Sequence, residues 1–174
     1  MVEDSLIERD RHDGDAVACL VAPGAAIAAG TYTTPTIFMG GRVAAPRGGG
    51  YDRALFSVLG GPANDATATL DVVVHQCTQA ADAGADAKVL AGLYGSKAIT
   101  QVTAGAGFAT LNQKWLIEVS AEEMDVDGGY CYLLLSYTVS AGDTWYLAVE
   151  AQRSGAAYEA VATTNITQAI GTTA

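Results

Sequence analysis

The sequence is poor in positive charge. Only 9 of its 174 residues are Lys or Arg, against 19 Asp and Glu, and the net charge is −10. The few basic residues form no cluster of the kind that replaces the counterions of phosphates, so we do not expect nucleic-acid binding. An anionic membrane surface would repel the chain for the same reason. The acidity instead favours solubility or docking to a basic partner.

Sequence motifs for catalysis are missing as well. No GxSxG, HExxH or GxxxxGK[ST] pattern occurs, and the three cysteines include no Cys-x-x-Cys pair. We therefore predict a non-enzymatic protein without a cofactor or resident metal. Cys77 and Cys131 lie in strand-like sequence and are expected to be small core residues that stay reduced. His75 alternates with apolar residues of a predicted strand, with no carboxylate or nucleophile suggested nearby, so we do not expect it to be a catalytic base.

Long apolar runs are absent too. The longest, Ala16–Ala29, is interrupted by Pro23 and Gly24 and is too short to span a bilayer. The first residues, Met1-Val2-Glu3-Asp4, are acidic, which predicts no signal peptide and synthesis in a reducing cytoplasm.

What the sequence has is alternation of apolar and polar residues, which predicts six to eight short strands and little helix. One helical turn is predicted at Ser120–Glu123, where Ser followed three residues later by Glu forms a capping box. These six to eight strands belong to the part of the chain from Tyr51 onward: Arg53–Leu59, Thr67–Gln76, Lys97–Val102, Lys114–Ser120, two arms within Gly129–Gln152, and two in the tail, Ala157–Val161 and Asn165–Ile170. Two further short strands are predicted before it, at Val17–Val21 and Thr33–Met39.

The stretch Gly129–Gln152 is the strongest of these signals. Two aromatic and branched runs flank Ala141-Gly142-Asp143, which predicts a β-hairpin. One face of the arms is apolar throughout. The other face also carries Tyr132, Leu134 and Tyr146, so we expect this face to be covered, and these three residues are candidates for self-association.

Together these features predict an all-β protein, an antiparallel β-sandwich of jelly-roll or immunoglobulin-like form. Residues 1–50, with a charged start and many Pro and Gly, are predicted to form an N-terminal arm and extended segment, and residues 51–174 the sandwich domain. A meandering edge segment of the same domain is the alternative for residues 16–50.

One acidic turn needs separate mention. Asp125-Val126-Asp127-Gly128-Gly129 is similar to the opening of a calcium-binding loop, but the bidentate Glu expected further along is missing. A β-turn leading into the next strand accounts for the same residues. Whether Asp125 and Asp127 bind calcium is therefore left open by the sequence.

Several segments carry a resemblance to a known family. The stretches ATATLDVVVHQCTQAADAGA, SKAITQVTAG, WLIEVSAEEMDVDGGYCYLLLSYTVSAG and WYLAVEAQRSGAAYEAV resemble tailed-phage capsid decoration (cement) proteins and related minor virion proteins with a β-sandwich fold. The resemblance covers about Ala54–Val161. It implies a place on the capsid surface, synthesis in the host cytoplasm, the major capsid protein as partner and a homotrimer.

Within that interpretation the N-terminal segment is the predicted clamp on the shell. Its candidate contact residues are Ile7, Arg9, Arg11, Tyr32, Ile37, Phe38 and Arg42. Two alternatives are a head–tail connector or tail structural protein, and, from another class, a carbohydrate-binding β-sandwich module that uses exposed aromatic residues.

Overall fold

The computed structural model describes residues 16–40, 50–80, 86–92 and 97–156. These residues form an antiparallel, curled, all-β structure with almost no helix, as the alternation predicts. The elements are β1 (Ala16–Thr33), β2 (Ile37–Phe38), β3 (Tyr51–Ala63), β4 (Thr69–Cys77), β5 (Lys88–Val89), β6 (Ala98–Thr103), the 3-10 helix η1 (Phe108–Thr110), β7 (Gln113–Ser120), the 3-10 helix η2 (Ala121–Glu123) and β8 (Tyr132–Ala156). The predicted strands Ala157–Val161 and Asn165–Ile170 lie outside the described residues.

β8 is the central strand of the sheet. Its first half pairs with β4 and its second half with β3, and both β4 and β3 run antiparallel to it. β7 extends the sheet beyond β3, while β5 and β6 both pair with β4. Along its other edge β8 pairs with β1 and β2.

The predicted hairpin within Gly129–Gln152 is wrong. β1 pairs antiparallel with both arms, from Ala16 opposite Arg153 to Thr33 opposite Ser136, so both arms run in the same direction. The connector is a bulge, because Val139 to Thr144 lies opposite only Ala28 to Gly30. Gly142, with φ of 84°, supplies the left-handed conformation the bulge needs. Small polar residues therefore mark an irregularity here that does not reverse the chain.

Residues 16–40, which the sequence prediction assigned to the arm, belong to the sheet. β1 follows β8 over most of its length. Val21, Ile37 and Met39 are buried at 9%, 4% and 0% exposure in the same core as the strands that follow. Within the described residues, β1 and β2 are thus strands of the sheet, and residues 1–15 and 41–49 lie outside the described ranges.

The core forms on one face of the curled sheet. Apolar side chains of β3, β4, β7 and β8 meet there in a single cluster, with Trp145, Phe56 and Leu147 among the largest buried members. The predicted inward faces are confirmed, since residues 133, 135, 137 and 139 of β8 and 70, 72 and 74 of β4 all lie in this cluster. Alternation at period two is what places them together.

A buried ion pair joins the two ends of the sheet. Lys97, next to β6, lies 2.9 Å from Glu123 Oε2 and also donates to the carbonyl oxygen of Glu118 on β7. The two charged side chains are only 6% and 1% exposed. The capping box that the sequence predicts is confirmed, because Glu123 Oε2 accepts from the Ser120 N–H at 2.9 Å and η2 begins there. Within the described ranges no helix is long and apolar enough to cross a bilayer.

Candidate functional site

Three exposed apolar side chains lie on the outer face of neighbouring strands β7, β3 and β8. Leu116 is 57% exposed, Tyr146 43% and Leu59 37%. Each alternates with core residues of its strand and so points away from the core. We call this surface, made of Leu59, Pro62, Leu116, Tyr146 and Ala148, the outer apolar face.

The register brings these side chains together. Leu116 lies opposite Ser57 on β3, two residues from Leu59, and Leu59 lies opposite Ala148 on β8, two residues from Tyr146. Ser57 and Ala148 are each only 8% exposed, so they form the floor between the larger side chains. A contiguous exposed apolar surface of this kind marks an interaction site more often than scattered single residues do.

A shallow groove of about 310 Å³ crosses the outer apolar face. Leu59, Gly61, Pro62 and Tyr146 line it, together with Asn112 near one end. Gly61 lies close under Tyr146, since a Cβ at Gly61 would be 3.3 Å from the Cβ of Tyr146. The groove therefore has one aromatic wall and a floor of small residues.

The other end of the same outer face is polar. Arg53 Nη1 bonds Glu118 Oε1 at 3.2 Å across β3 and β7, and both side chains are more than half exposed. A second shallow groove of about 340 Å³ lies there, lined by Arg53, Leu55, Glu118, Gln152 and Ser154. An apolar area with a polar border is the usual composition of a protein–protein interface.

The predicted capsid-contact residues are dispersed. Tyr32 is 38% exposed and stacks on Tyr137 with ring centroids 5.6 Å apart. Ile37 is 4% exposed and belongs to the core, and Phe38 is half-buried against Tyr132 at 5.2 Å. Of the three residues of this set that the structure describes, only Tyr32 offers a large exposed surface. Ile7, Arg9, Arg11 and Arg42 lie outside the described residues.

The three predicted self-association residues do not share one exposed surface. Leu134 is 0% exposed, so its side chain is already covered within the chain. Tyr132 is half-buried beside Phe38, whereas Tyr146 belongs to the outer apolar face. The cover that the sequence predicted for this second face of β8 is thus supplied, at Leu134, by the chain itself.

His75 has a serine neighbour that sequence reasoning did not find. Its Nε2 lies 3.0 Å from Ser136 Oγ across β4 and β8. Its Nδ1 is buried and has no hydrogen-bond partner among the described residues. Burial lowers the pKa of His75 below its usual value. The ring is therefore held neutral beside a hydroxyl, and within the described chain no carboxylate orients it as a catalytic base requires.

The acidic turn at Asp125 is built from internal contacts. Asp125 Oδ2 lies 2.6 Å from Lys88 Nζ, and Oδ1 accepts from the Gly128 N–H at 3.0 Å. The hydrogen bond from Lys88, followed by that from Gly128, lowers the pKa of Asp125. Lys88 also lies 4.2 Å above the Tyr130 ring. Both carboxylate oxygens thus have partners within the chain, Oδ1 in the turn itself and Oδ2 on β5, in agreement with the β-turn interpretation. Across the described ranges, no group of three or more His, Cys, Asp or Glu side chains could hold a metal ion.

Four of the five members of the outer apolar face were missed from sequence: Leu59, Pro62, Leu116 and Ala148. Leu59 and Leu116 each sit on the outward-facing side of a strand whose inward side is also apolar. An apolar residue on the outward-facing side of such a strand is the sequence signal that could have identified them.

Comparison with known proteins gives no match to any family model, curated protein or solved structure.

Proposed function

We propose that this chain is a structural protein of a phage particle, a capsid decoration protein that binds the outer surface of the major capsid lattice across subunit joints. Its place would be the virion surface after synthesis in the host cytoplasm. It would act by adhesion and catalyse no reaction. The resemblance of the strand and turn segments to decoration proteins supports this proposal.

The outer apolar face is the observation that carries the proposal in the structure. Leu116, Leu59 and Tyr146 expose apolar area that a partner would remove from water. The exposed Arg53–Glu118 pair beside them can form polar contacts at the border of such an interface. The predicted contacts of the N-terminal segment through Ile7, Arg9 and Arg11 stay part of the proposal, as does the homotrimer.

We also propose that the curled sheet is a two-layered sandwich. Side chains from β4 and from β3 and β7 meet in one core, and Lys97 contacts β7 from the β4 side. Two layers with a shared core would place these elements face to face. An experimental structure distinguishes jelly-roll from immunoglobulin-like topology.

The test is binding to purified shells. Shells assembled from the major capsid protein encoded in the same phage genome are mixed with the full chain, and bound copies are counted by gel densitometry and cryo-electron microscopy. We expect hundreds of copies on the outer surface and a higher melting temperature of the shell. A ring of about six or twelve copies at one vertex would instead indicate a connector or tail component. No binding would overturn the proposal.

A pair of variants assigns the contact to the outer apolar face. The double substitution Leu59→Ser and Leu116→Ser removes its two leucines, and we expect at least a tenfold loss of shell affinity, since anchor residues carry most of an interface's energy. Val89→Ser is the matched control, because Val89 is 58% exposed on β5, away from this face. Equal loss for both would show that the face is not the contact.

A carbohydrate-binding module is the second candidate, favoured by one observation. Tyr146 is a 43% exposed aromatic residue that lines a groove, the arrangement that a sugar-stacking site requires. Glycan-array binding that Tyr146→Ala abolishes, together with no binding to shells, would select this function over the first.

A further inference from the structure

Two of the three cysteines lie side by side where β4 ends and β8 begins. Cys77 ends β4, and Cys131 directly precedes β8. The Cys131 N–H donates to the carbonyl oxygen of Cys77 at 3.2 Å, while Cys77 is also the register partner of Tyr132. Two residues of one strand thus face one residue of the other, as in a β-bulge.

Each thiol lies near the carbonyl oxygen of the residue that follows the other cysteine. Cys77 Sγ lies 3.8 Å from the carbonyl oxygen of Tyr132, the residue after Cys131. Cys131 Sγ lies 3.8 Å from the carbonyl oxygen of Thr78, the residue after Cys77. The 3.2 Å contact between the Cys131 nitrogen and the Cys77 carbonyl oxygen limits the separation of the two Cα atoms to about 7 Å, close to the roughly 4.4–6.8 Å that a disulfide bridges.

We propose that Cys77 and Cys131 form a disulfide bond when the protein meets an oxidised small thiol such as oxidised glutathione. Cys131, at 9% exposure against 0% for Cys77, is the point of entry. Its thiolate attacks one glutathione sulfur, forms a mixed disulfide and releases one glutathione thiolate. The Cys77 thiolate then attacks the Cys131 sulfur and expels the second glutathione thiolate. The two cysteines lose two protons and two electrons, and oxidised glutathione becomes two reduced molecules.

The surroundings make this reaction slow in the folded protein. Burial, followed by the charge of Asp86 and the nearby Cys131, raises the pKa of Cys77 to about 11, and burial and Asp86 also raise the pKa of Cys131. Because the thiolate is the reacting species, both side chains stay as thiols until the site opens. Cys19 on β1 is exposed and reacts first with any added reagent.

The bond would tie the end of β4 to the start of β8 and close the chain between residues 78 and 130 into a loop. Closing so long a loop restricts the unfolded chain and stabilises the folded one. This inference is independent of the proposed function, because it concerns only the two thiols and the strands that carry them.

The test uses the full chain carrying Cys19→Ala, so that only the pair can react. The protein is equilibrated with oxidised and reduced glutathione at about pH 8.5, in denaturant just below its unfolding midpoint, so that the buried thiols are reached. We expect a loss of two hydrogens in the intact mass and a peptide that joins residues 77 and 131. We also expect the melting temperature to rise by roughly 5 °C or more and to return to its original value when dithiothreitol reduces the bond.

Cys77→Ala and Cys131→Ala in the same background are the matched controls, with folding checked by circular dichroism. Each should take up at most one glutathione and show no loss of two hydrogens. Two free thiols, or two glutathione adducts, in the Cys19→Ala protein at equilibrium would overturn the proposal.

Discussion

Gly60 lies so close to two indole rings that a side chain there would overlap with them. A Cβ atom would be 2.6 Å from Trp115 Cζ3, 2.7 Å from Trp115 Cη2 and 3.3 Å from Trp145 Nε1. Trp145 is fully buried and cannot move without disturbing the core. Gly60, which follows Leu59 of the outer apolar face, thus packs directly against the centre of the core.

We predict that Gly60→Ala lowers the free energy of unfolding by roughly 1–3 kcal/mol, because overpacking forces the indole ring to shift. Gly107→Ala is the control, since no atom lies within 4 Å of a Cβ there and φ is −93°. Urea denaturation measures both variants. Equal stability of the two would show that the Trp115 ring has room to move.

His75 predicts a pH dependence of stability. Its pKa is lowered by burial, so between its folded and unfolded pKa values the unfolded chain binds more protons than the folded one. Stability contributed by the neutral ring is complete above about pH 6.5 and is lost as the pH falls through the folded pKa. His75→Gln should therefore flatten the stability curve between about pH 7 and pH 5.

The second histidine provides the control for this measurement. His12 belongs to the charged N-terminal sequence, and His12→Gln is expected to keep the wild-type slope. Chemical denaturation is best done above about pH 5, because Asp65, Asp86 and Asp125 have lowered pKa values and cause a separate loss of stability nearer pH 4. Identical slopes for the wild type and His75→Gln would contradict the prediction.

Among the elements, the contact of Lys97, next to β6, with Glu123 of η2 and the Glu118 carbonyl oxygen of β7 joins the ends of the sheet. Glu123→Gln should lower the free energy of unfolding by roughly 3–5 kcal/mol, because it leaves the buried Lys97 charge with the Glu118 carbonyl oxygen but without its charged partner. Glu118→Gln breaks the exposed pair with Arg53 but keeps the backbone carbonyl that accepts from Lys97, and should cost less than about 1 kcal/mol. A similar loss of unfolding free energy in both variants would show that the buried pair stabilises the fold no more than the exposed pair does.

The same elements show what the sequence can and cannot predict. Alternation located most of the strands and their inward faces, although it gave only Val17–Val21 of β1 and missed β5. The capping box located η2, because such local signals depend on residues close in the chain. The partner of β1 could not be predicted, since β8 lies more than a hundred residues away and pairing leaves no local signal. Ala141-Gly142-Asp143 misled for a related reason: a bulge and a turn use the same residues, and only the pairing of β1 distinguishes them.

The candidate site was predicted less well than the strands. Tyr146 was identified because it interrupts a polar face, and Leu134 was chosen by the same rule although it is fully buried. Exposure depends on which segments cover a face. Alternation gives the side of a strand to which a residue points and contains no information on that cover.

At the scale of the whole molecule, two deletions test whether the fold requires β1. Deleting residues 1–15 removes none of the described strands, so we expect the melting temperature to change by only a few degrees. Deleting residues 1–33 leaves most of one edge of β8 unpaired and removes Val21 from the core and Ile27 from its border. We expect this shorter chain to lose its cooperative thermal transition. A sharp transition near that of the full chain would contradict the role given to β1.

The pairing of β1 with β8 also sets the order of events during synthesis. The first described strand emerges from the ribosome long before its partner, which ends at Ala156. Until β8 has been synthesised, β1 has no partner strand and stays unpaired. Its sequence, AVACLVAPGAAIAAGTYT, consists mostly of small residues and carries no charge. The sheet can therefore form only after β8 has been synthesised, and we expect slow folding, as is usual where contacts join distant parts of a sequence.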